Sequence, residues 1–416
     1  MQNPSGLPPH MHKFLPSSLS GMQRPPSSGR LLASKHFALR RKSDRDFTPS
    51  HWSQYFTAQK DITINDGDVF RVYIHEQSES IVDMPVLLLL HGGGFTALTW
   101  SLFVKSLAEL CNVRIMAIDI RGHGSTHTAN DEDLSIVTMV NDITQVLMKM
   151  FDQSMPELIL MGHSMGGALA AHFVDKCCES SINSRILGLI VIDVVEGTAK
   201  QALSQMQQVL QSRPSDFKSI EQAIEWCVRS NQTRNLEAAK ISMPGQIKHS
   251  QTGICAADLV ENCRPETPDE SHHTNLPANS FGLSTLSENS PTTENPNIVT
   301  APDDQQSSSD RHQFVWRINL AHTEPFWMEW FDNLSQIFLN SKGGAKLLLL
   351  AGVDRLDGPM TVGQMQGKFQ MQILPRVGHV IQEDDPDSVA HVVAAYLCRN
   401  RFSTSRTEFE SPFPSC

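Results

Sequence analysis

The sequence predicts an α/β chain built on a doubly wound, mostly parallel sheet. Two observations carry this. Six short runs are apolar at nearly every position: "VLLLLHG" (86–92), "RIMAIDI" (114–120), "LILMGHS" (158–164), "ILGLIVIDV" (186–194), "AKLLLLAG" (345–352) and "FQMQILP" (369–375). Runs without period-2 alternation suit parallel strands covered on both faces. Between most of them lie stretches with apolar residues at three- and four-residue steps: 98–110, 134–150, 166–177 and 387–400. Strands alternating with helices form a parallel sheet sandwiched by helices. Folded sequence begins near "DFTPSHWSQYF" (46–56), followed by two strand-like runs, "DITI" and "VFRVYI".

The alternation breaks between Gly197 and Lys342. This segment opens with helical sequence ("TAKQALSQMQQVLQ", "SIEQAIEWCVRS") and reads as a helical cap inserted at the strand C-termini. Within it, 249–312 is rich in Ser, Thr, Asn and Pro and carries ten acids against two arginines, which predicts a disordered acidic linker. Aromatics cluster just beyond it at Trp316, Phe326, Trp327, Trp330 and Phe331, either as packing or as cap residues facing a ligand. The organisation predicted is a disordered basic tail (1–45), one domain (46–402, with cap and insertion at about 197–342) and a disordered C-terminal tail (403–416).

Composition narrows the function. Of 416 residues, 40% are hydrophobic, enough for a large core, and the net charge is −11. The first 45 residues hold eight Lys/Arg and one acid, so the body is strongly acidic, which argues against nucleic-acid binding. The eight cysteines form no CxxC pair, which disfavours a zinc site. The chain is too long to depend on disulfides, so a reducing compartment, cytoplasm or nucleus, is expected. No secretory h-region and no membrane-length apolar run is visible. The acid-poor, Ser- and Arg-rich start competes as a transit peptide, but its prolines disfavour an amphipathic helix. "LRRKSD" (39–44) offers a basophilic kinase site at Ser43, against the plainer reading of a solvated basic tail.

The chemistry centres on Gly162-His163-Ser164-Met165-Gly166, a G-x-S-x-G reached from an apolar strand and left by an Ala-rich helix. Glycines permit the sharp turn that projects a serine as a nucleophile, and the Met165 N–H at the helix start faces a developing oxyanion. "LLLLHGGGFTA" (87–97) supplies an H-G-G-G turn after an earlier strand, and a second oxyanion N–H is expected from Gly93, Gly94 or Phe95. Among seventeen histidines, His379 follows the last strand and precedes the final helix, where a general base is expected. His163 sits inside the turn and points away from base work, His91 orders its own loop, and His123 and His127 are candidates for the pocket wall. The orienting acid must lie between Ser164 and His379. Asp193 and Asp354 both follow strands, and the commoner arrangement takes the later one.

The stretches "IDVVEGTA", "RNLEAAKISMPGQ", "GHSMGGA" and "LLLLAGVDRLDGPMTVGQMQGKFQMQILP" resemble the protein phosphatase methylesterases, an α/β-hydrolase family. "DFTPSHWSQYF", "WRINLA" and the acidic mid-chain insertion extend the resemblance, which covers roughly 46–250 and 313–402. It implies the α/β-hydrolase fold and a methyl ester on the C-terminal leucine of the type 2A protein phosphatase catalytic subunit as substrate. It also implies Ser164 as nucleophile, Asp193 rather than Asp354 as acid, and His379 as base, with no metal or organic cofactor. Phe95 after H-G-G-G and Gly122 in "DIRGHGST" depart from the family's pattern. The phosphatase tail is the implied partner, with 314–331 and 360–371 as candidate contacts. A non-catalytic phosphatase binder and a general small-ester carboxylesterase are the competing functions.

Overall fold

Each apolar run becomes a strand. In chain order the strands are β1 (Ala58–Ile64), β2 (Asp68–Glu76), β3 (Val86–Leu90), β4 (Arg114–Ile118), β5 (Leu158–His163), β6 (Ile186–Ile192), β7 (Asp216–Phe217), β8 (Ile247–His249), β9 (Phe314–Trp316), β10 (Ala345–Leu350) and β11 (Gln370–Ile373). Eight of them form one sheet in the order β1-β2-β4-β3-β5-β6-β10-β11. From β4 to β11 neighbours run parallel, and β2 joins β4 antiparallel, with β1 antiparallel at the edge. The computed structural model describes residues 45–65, 67–77, 84–152, 154–176, 185–262, 313–342 and 344–408.

The helices are α1 (Ser101–Leu110), α2 (Ile136–Phe151), α3 (Met165–Lys176), α4 (Glu196–Gln211), α5 (Ile220–Arg229), α6 (Leu236–Ser242), α7 (Ala256–Asn262), α8 (Glu324–Phe331), α9 (Leu334–Asn340), α10 (Gly358–Met365), α11 (Ile381–Asp384) and α12 (Pro386–Arg399). β3 shows why its sequence is continuously apolar. Leu88 and Leu90 join the core with α2 and α3, whereas Leu87 and Leu89 join the core with α1 and α12. A strand whose alternate side chains enter two cores has no polar face. Helix starts carry their own signals: the Ser135 hydroxyl accepts from Thr138 N–H at the head of α2, and Pro386 opens α12 with Asp385 accepting from Ser388 N–H.

Strand register brings the motifs together. Leu90, the last residue of β3, lies opposite Gly162 of β5, and His163 lies opposite Ile192 of β6. The chain steps from β3 to β4 on one side and to β5 on the other, so the crevice at the carboxyl ends of β3 and β5 is the switch point where such sheets bind ligands.

The insertion is a cap with a core of its own. β7, β9 and β8 form a small antiparallel sheet around central β9, packed through Phe217, Ile224, Cys227, Met243, Ile247 and Phe314. The boundaries predicted for two disordered segments need correction. Residues 249–262 are ordered: His249 pairs with Phe314 in the small sheet, Cys255 and Ala256 are buried, and α7 follows. Their polar composition hides these few anchoring side chains. At the other end, Ser403 is buried and Ser405 bridges to Cys111. The remainder of the predicted tails and linker, 1–44, 263–312 and 409–416, lies outside the described residues, as does Ser43. Among the described residues no helix is long and apolar enough to cross a membrane.

Candidate active site

Ser164 occupies the single-residue turn between β5 and α3 with φ of +52°, a left-handed conformation that costs a non-glycine residue energy. The turn is pinned from both sides: Ser164 N–H donates to the Ile192 carbonyl at 3.0 Å, and its carbonyl accepts from Ala168 N–H at 3.0 Å. The flanking glycines are steric necessities. A Cβ on Gly162 would overlap the Gly166 carbonyl, and one on Gly166 would overlap the carbonyls of Leu90 and His91. Close approach of α3 to β3 sets the elbow beside the H-G-G-G turn.

The candidate acid and base lie directly after β6 and in the loop after β11. Asp193 directly follows β6, has φ of +51°, and its N–H donates to the Leu349 carbonyl at 2.8 Å. Its carboxylate has no exposed surface. Oδ2 lies 2.8 Å from His379 Nδ1 and accepts from Arg355 Nη1 at 2.6 Å; Oδ1 accepts from Ala351 N–H at 3.1 Å. Burial by itself raises this carboxyl's pKa, but His379, Ala351 N–H and Arg355 together hold it below the usual carboxylate value. Asp354, the acid favoured by generic chain order, is exposed in the turn after β10. Arg355, its neighbour in sequence, reaches Asp193.

His379 and Ser164 line one cavity, and among the described residues the Ser164 hydroxyl makes no hydrogen bond to His379. His163 is buried, and its ring makes no hydrogen bond to Ser164 among the described residues. Its Nε2 lies 2.8 Å from the His379 carbonyl, and the two rings are 4.7 Å apart, so it braces the loop that carries His379. Burial, with the charge of nearby His379, depresses His163 to about 3, so it stays neutral.

The H-G-G-G turn is held by two buried histidines. His91 Nε2 accepts from Ile120 N–H at 2.9 Å, with Nδ1 2.9 Å from the Gly92 carbonyl. His123 Nε2 accepts from Gly94 N–H at 2.9 Å, with Nδ1 2.8 Å from the Arg121 carbonyl. An acceptor Nε2 fixes each ring as the neutral Nδ1–H tautomer; burial lowers His123 to about 4 and holds His91 well below the usual imidazole range. This corrects two expectations. His123 braces the loop rather than lining the cavity, and His127 is exposed, pairing its backbone with Val69. The expected oxyanion donors also separate. Gly94 N–H goes to His123 and Phe95 N–H to the Gly92 carbonyl at 3.1 Å, so both are already engaged. Gly93 lines the cavity with no such bond, opposite Met165, whose N–H at the start of α3 has no helical acceptor. Phe95 contributes its ring, edge-on to His163. Gly122 has φ of +74°, and a Cβ there would strike the Asp131 carbonyl, which explains glycine at that position.

The cavity measures about 280 Å³. Its floor holds Ser164, Met165, His379 and the glycines, and its roof comes from the cap: Leu203, Met206 and Val209 of α4 with Trp327, Trp330 and Phe331 of α8. The aromatic cluster therefore divides. Trp327, Trp330 and Phe331 are buried and also face the cavity, Phe326 packs on the core, and Trp316 belongs to the small sheet. Sequence reasoning missed Arg355, the brace from His123, and Arg213 on the cavity wall. Arg355 stands next to the suspected acid in sequence, which was the only available signal.

A nucleophile elbow at a sheet switch point, under a helical cap and beside an Asp–His pair, defines the class: an α/β-hydrolase. Residues 87–246 match the alpha/beta hydrolase family. The fold is shared with an M. tuberculosis esterase (14% identity, 82% of this chain and 92% of that chain, TM-score 0.51) and with E-2-(acetamidomethylene)succinate hydrolase (12%, 82% and 99%, TM-score 0.54). Within that class the chain belongs to the protein phosphatase methylesterase family. It is 44% identical to protein phosphatase methylesterase 1 of Mus musculus and of Homo sapiens, over 89% of this chain and 90% of each relative. The Aspergillus fumigatus relative of the same name is 32% identical over 88% of this chain and 76% of its own length.

Proposed function

We propose that this carboxylic ester hydrolase removes a methyl ester from a protein phosphatase, and specifically from the C-terminal leucine of the type 2A catalytic subunit. The observation that carries the reading is the 2.8 Å Asp193–His379 pair in the same site as an αL serine, in a chain 44% identical to named methylesterases. In this mechanism His379 takes the Ser164 proton as the hydroxyl attacks the ester carbonyl. Asp193 holds the imidazole with Nδ1 protonated and stabilises the cation that forms. The N–H groups of Met165 and Gly93 receive the oxyanion. His379 then protonates departing methanol, and water activated by the same ring releases the free carboxylate from Ser164. The attack requires Ser164 and His379 to close to hydrogen-bond distance, a tightening common on substrate binding.

The apolar roof suits the side chain of a terminal leucine, and the two N–H groups suit its ester. The phosphatase surface is proposed to dock around the cavity, with cytoplasm or nucleus as the compartment; the free thiols of Cys111, Cys227, Cys255 and Cys398 are compatible with it. Methanol release from methylated phosphatase by wild type and Ser164→Ala tests the function. Loss of the nucleophile removes on the order of 10⁶ in turnover. Retained demethylation by Ser164→Ala overturns the mechanism, and a strong preference of the wild type for simple small esters overturns the substrate.

A further inference from the structure

Arg213 lies just beyond α4 on the wall of the catalytic cavity. Its guanidinium carbon sits 5.0 Å from the centroid of the Trp316 ring. That ring is fixed in turn: its indole N–H donates to the Pro214 carbonyl at 2.7 Å, and Phe217 and Trp226 pack edge-on against it. Among the described residues the guanidinium has this stacking contact and no ion pair or hydrogen bond. The contrast with other part-buried arginines is sharp. Arg71 pairs with Asp61 and Asp258, Arg121 with Asp142 and Asp68, Arg317 with Asp131, and Arg355 with Asp193. Burial lowers the Arg213 pKa, the sign of a cation held partly out of water without compensation. A guanidinium presents five donors in a fixed fork shaped for a carboxylate, and here that fork is oriented by stacking and unused.

Arg213 also lines a second groove of about 420 Å³. The two cavities share Arg213 and Leu320 as a common wall. The catalytic side is mainly apolar, whereas the second groove offers the polar side chains of Gln211, Ser215 and Asn319. If a peptide with its terminal ester at Ser164 leaves past this shared wall, the residues preceding the ester pass Arg213.

We infer that Arg213 is a specificity-determining residue that binds a carboxylate side chain of the substrate peptide, upstream of the esterified residue, as the peptide leaves the catalytic cavity through the second groove. This inference rests on the methylesterase reading above. The positive end of the site is thereby neutralised only by the correct substrate, so selectivity comes from a cation whose partner is supplied in trans.

The test uses full-length protein and peptides ending in leucine methyl ester, carrying Asp at each upstream position in turn, with a matched Asn series. At one position wild type hydrolyses the Asp peptide with kcat/KM about tenfold or more above its Asn partner, the scale of a charge-assisted hydrogen bond. Arg213→Gln brings that ratio near one, and Arg213→Lys restores part of it. Because each enzyme is compared with itself on paired peptides, a general loss of folded protein leaves the ratio unchanged. No Asp preference at any position, or a preference that survives in Arg213→Gln, overturns the inference while leaving the methylesterase reading intact. Failure of wild type to cleave any of the methyl-ester peptides, with small esters still cleaved, overturns both. Inhibition by demethylated peptides separates the remaining source of a carboxylate. If Arg213→Gln weakens inhibition equally for Asp and Asn products, Arg213 binds the new terminal carboxylate, and the inference fails.

Discussion

Replacing Asp193 by asparagine tests the pairing at the heart of the site. The carboxylate accepts from three donors on two oxygens: Ala351 N–H on Oδ1, and His379 and Arg355 on Oδ2. An amide has an acceptor on one side only. With its oxygen toward His379, its NH2 opposes the part-buried Ala351 N–H. With its NH2 toward His379, the imidazole is driven to the wrong tautomer and Arg355 loses its acceptor. Either arrangement leaves a donor unpaired, which costs about 1–3 kcal/mol of stability. The kinetic loss is larger: a wrong tautomer lowers kcat about 10⁴-fold, or about 5 kcal/mol in the barrier. Methanol release under single-turnover conditions measures the loss, and thermal melts measure the stability difference. Asp193 has a folded pKa below its ordinary 3.8, so its stabilising contribution is complete above the unfolded pKa and disappears as pH falls through the lower folded value. The wild-type advantage in melting is therefore full at neutral pH and shrinks below about pH 4. Asp354→Asn, altering an exposed side chain, leaves kcat near wild type. Full activity in Asp193→Asn, or a 10⁴-fold loss in Asp354→Asn, refutes the assignment of the acid.

Other substitutions probe the supports. Glu383 is buried, accepts from Thr99 Oγ1 at 2.6 Å, and is pushed by burial from 4.5 up to about 7. The native state therefore keeps a proton that the unfolded chain releases, and stability falls between about pH 4.5 and 7 by on the order of 3 kcal/mol; Glu383→Gln flattens that slope in pH-dependent denaturation curves. His123→Ala frees the Gly94 N–H from its acceptor and loosens the H-G-G-G turn, and kcat for a small ester is expected to fall about 10²-fold, as for loss of an oxyanion donor. Gly166→Ala drives a Cβ into the Leu90 and His91 carbonyls and lowers stability by about 1–3 kcal/mol, seen as an earlier denaturation midpoint together with lost activity. In α10, Val362 and Met365 are exposed, Met365 by 80%, while Met360 is buried. Glutamates at Val362 and Met365 should raise KM on the holo-phosphatase and leave a small ester unaffected; equal effects on both substrates remove this surface from the docking interface.

Much of the sheet was legible because its strands are buried on both faces and therefore read as unbroken apolar runs. The elbow was legible because a strand must enter it, a helix must leave it, and only glycine tolerates the approach of Gly162 to Gly166. The segment 249–262 was misjudged because a stretch anchored by Cys255, Ala256 and one strand residue looks, in composition, like the polar linker that follows. His123 is only a candidate for the pocket wall from sequence, because its position places it near the site without revealing which way its ring turns.

Local chemistry thus determined the order of strands and helices, the turn at Ser164 and the loop that carries His379, since each depends on neighbours within one turn or one strand. The choice between Asp193 and Asp354 required more. Chain order admits both, family resemblance pointed to the first, and only the pairing of β6 with β5 and β10 sets Asp193 within 2.8 Å of a histidine 186 residues away. The engagement of Gly94 by His123, the bond from Arg355 to Asp193 and the unpaired Arg213 at the meeting of two cavities were likewise decided by packing. A hydrogen bond or a missing counter-charge depends on distances between elements far apart in the chain, and no local pattern records those distances.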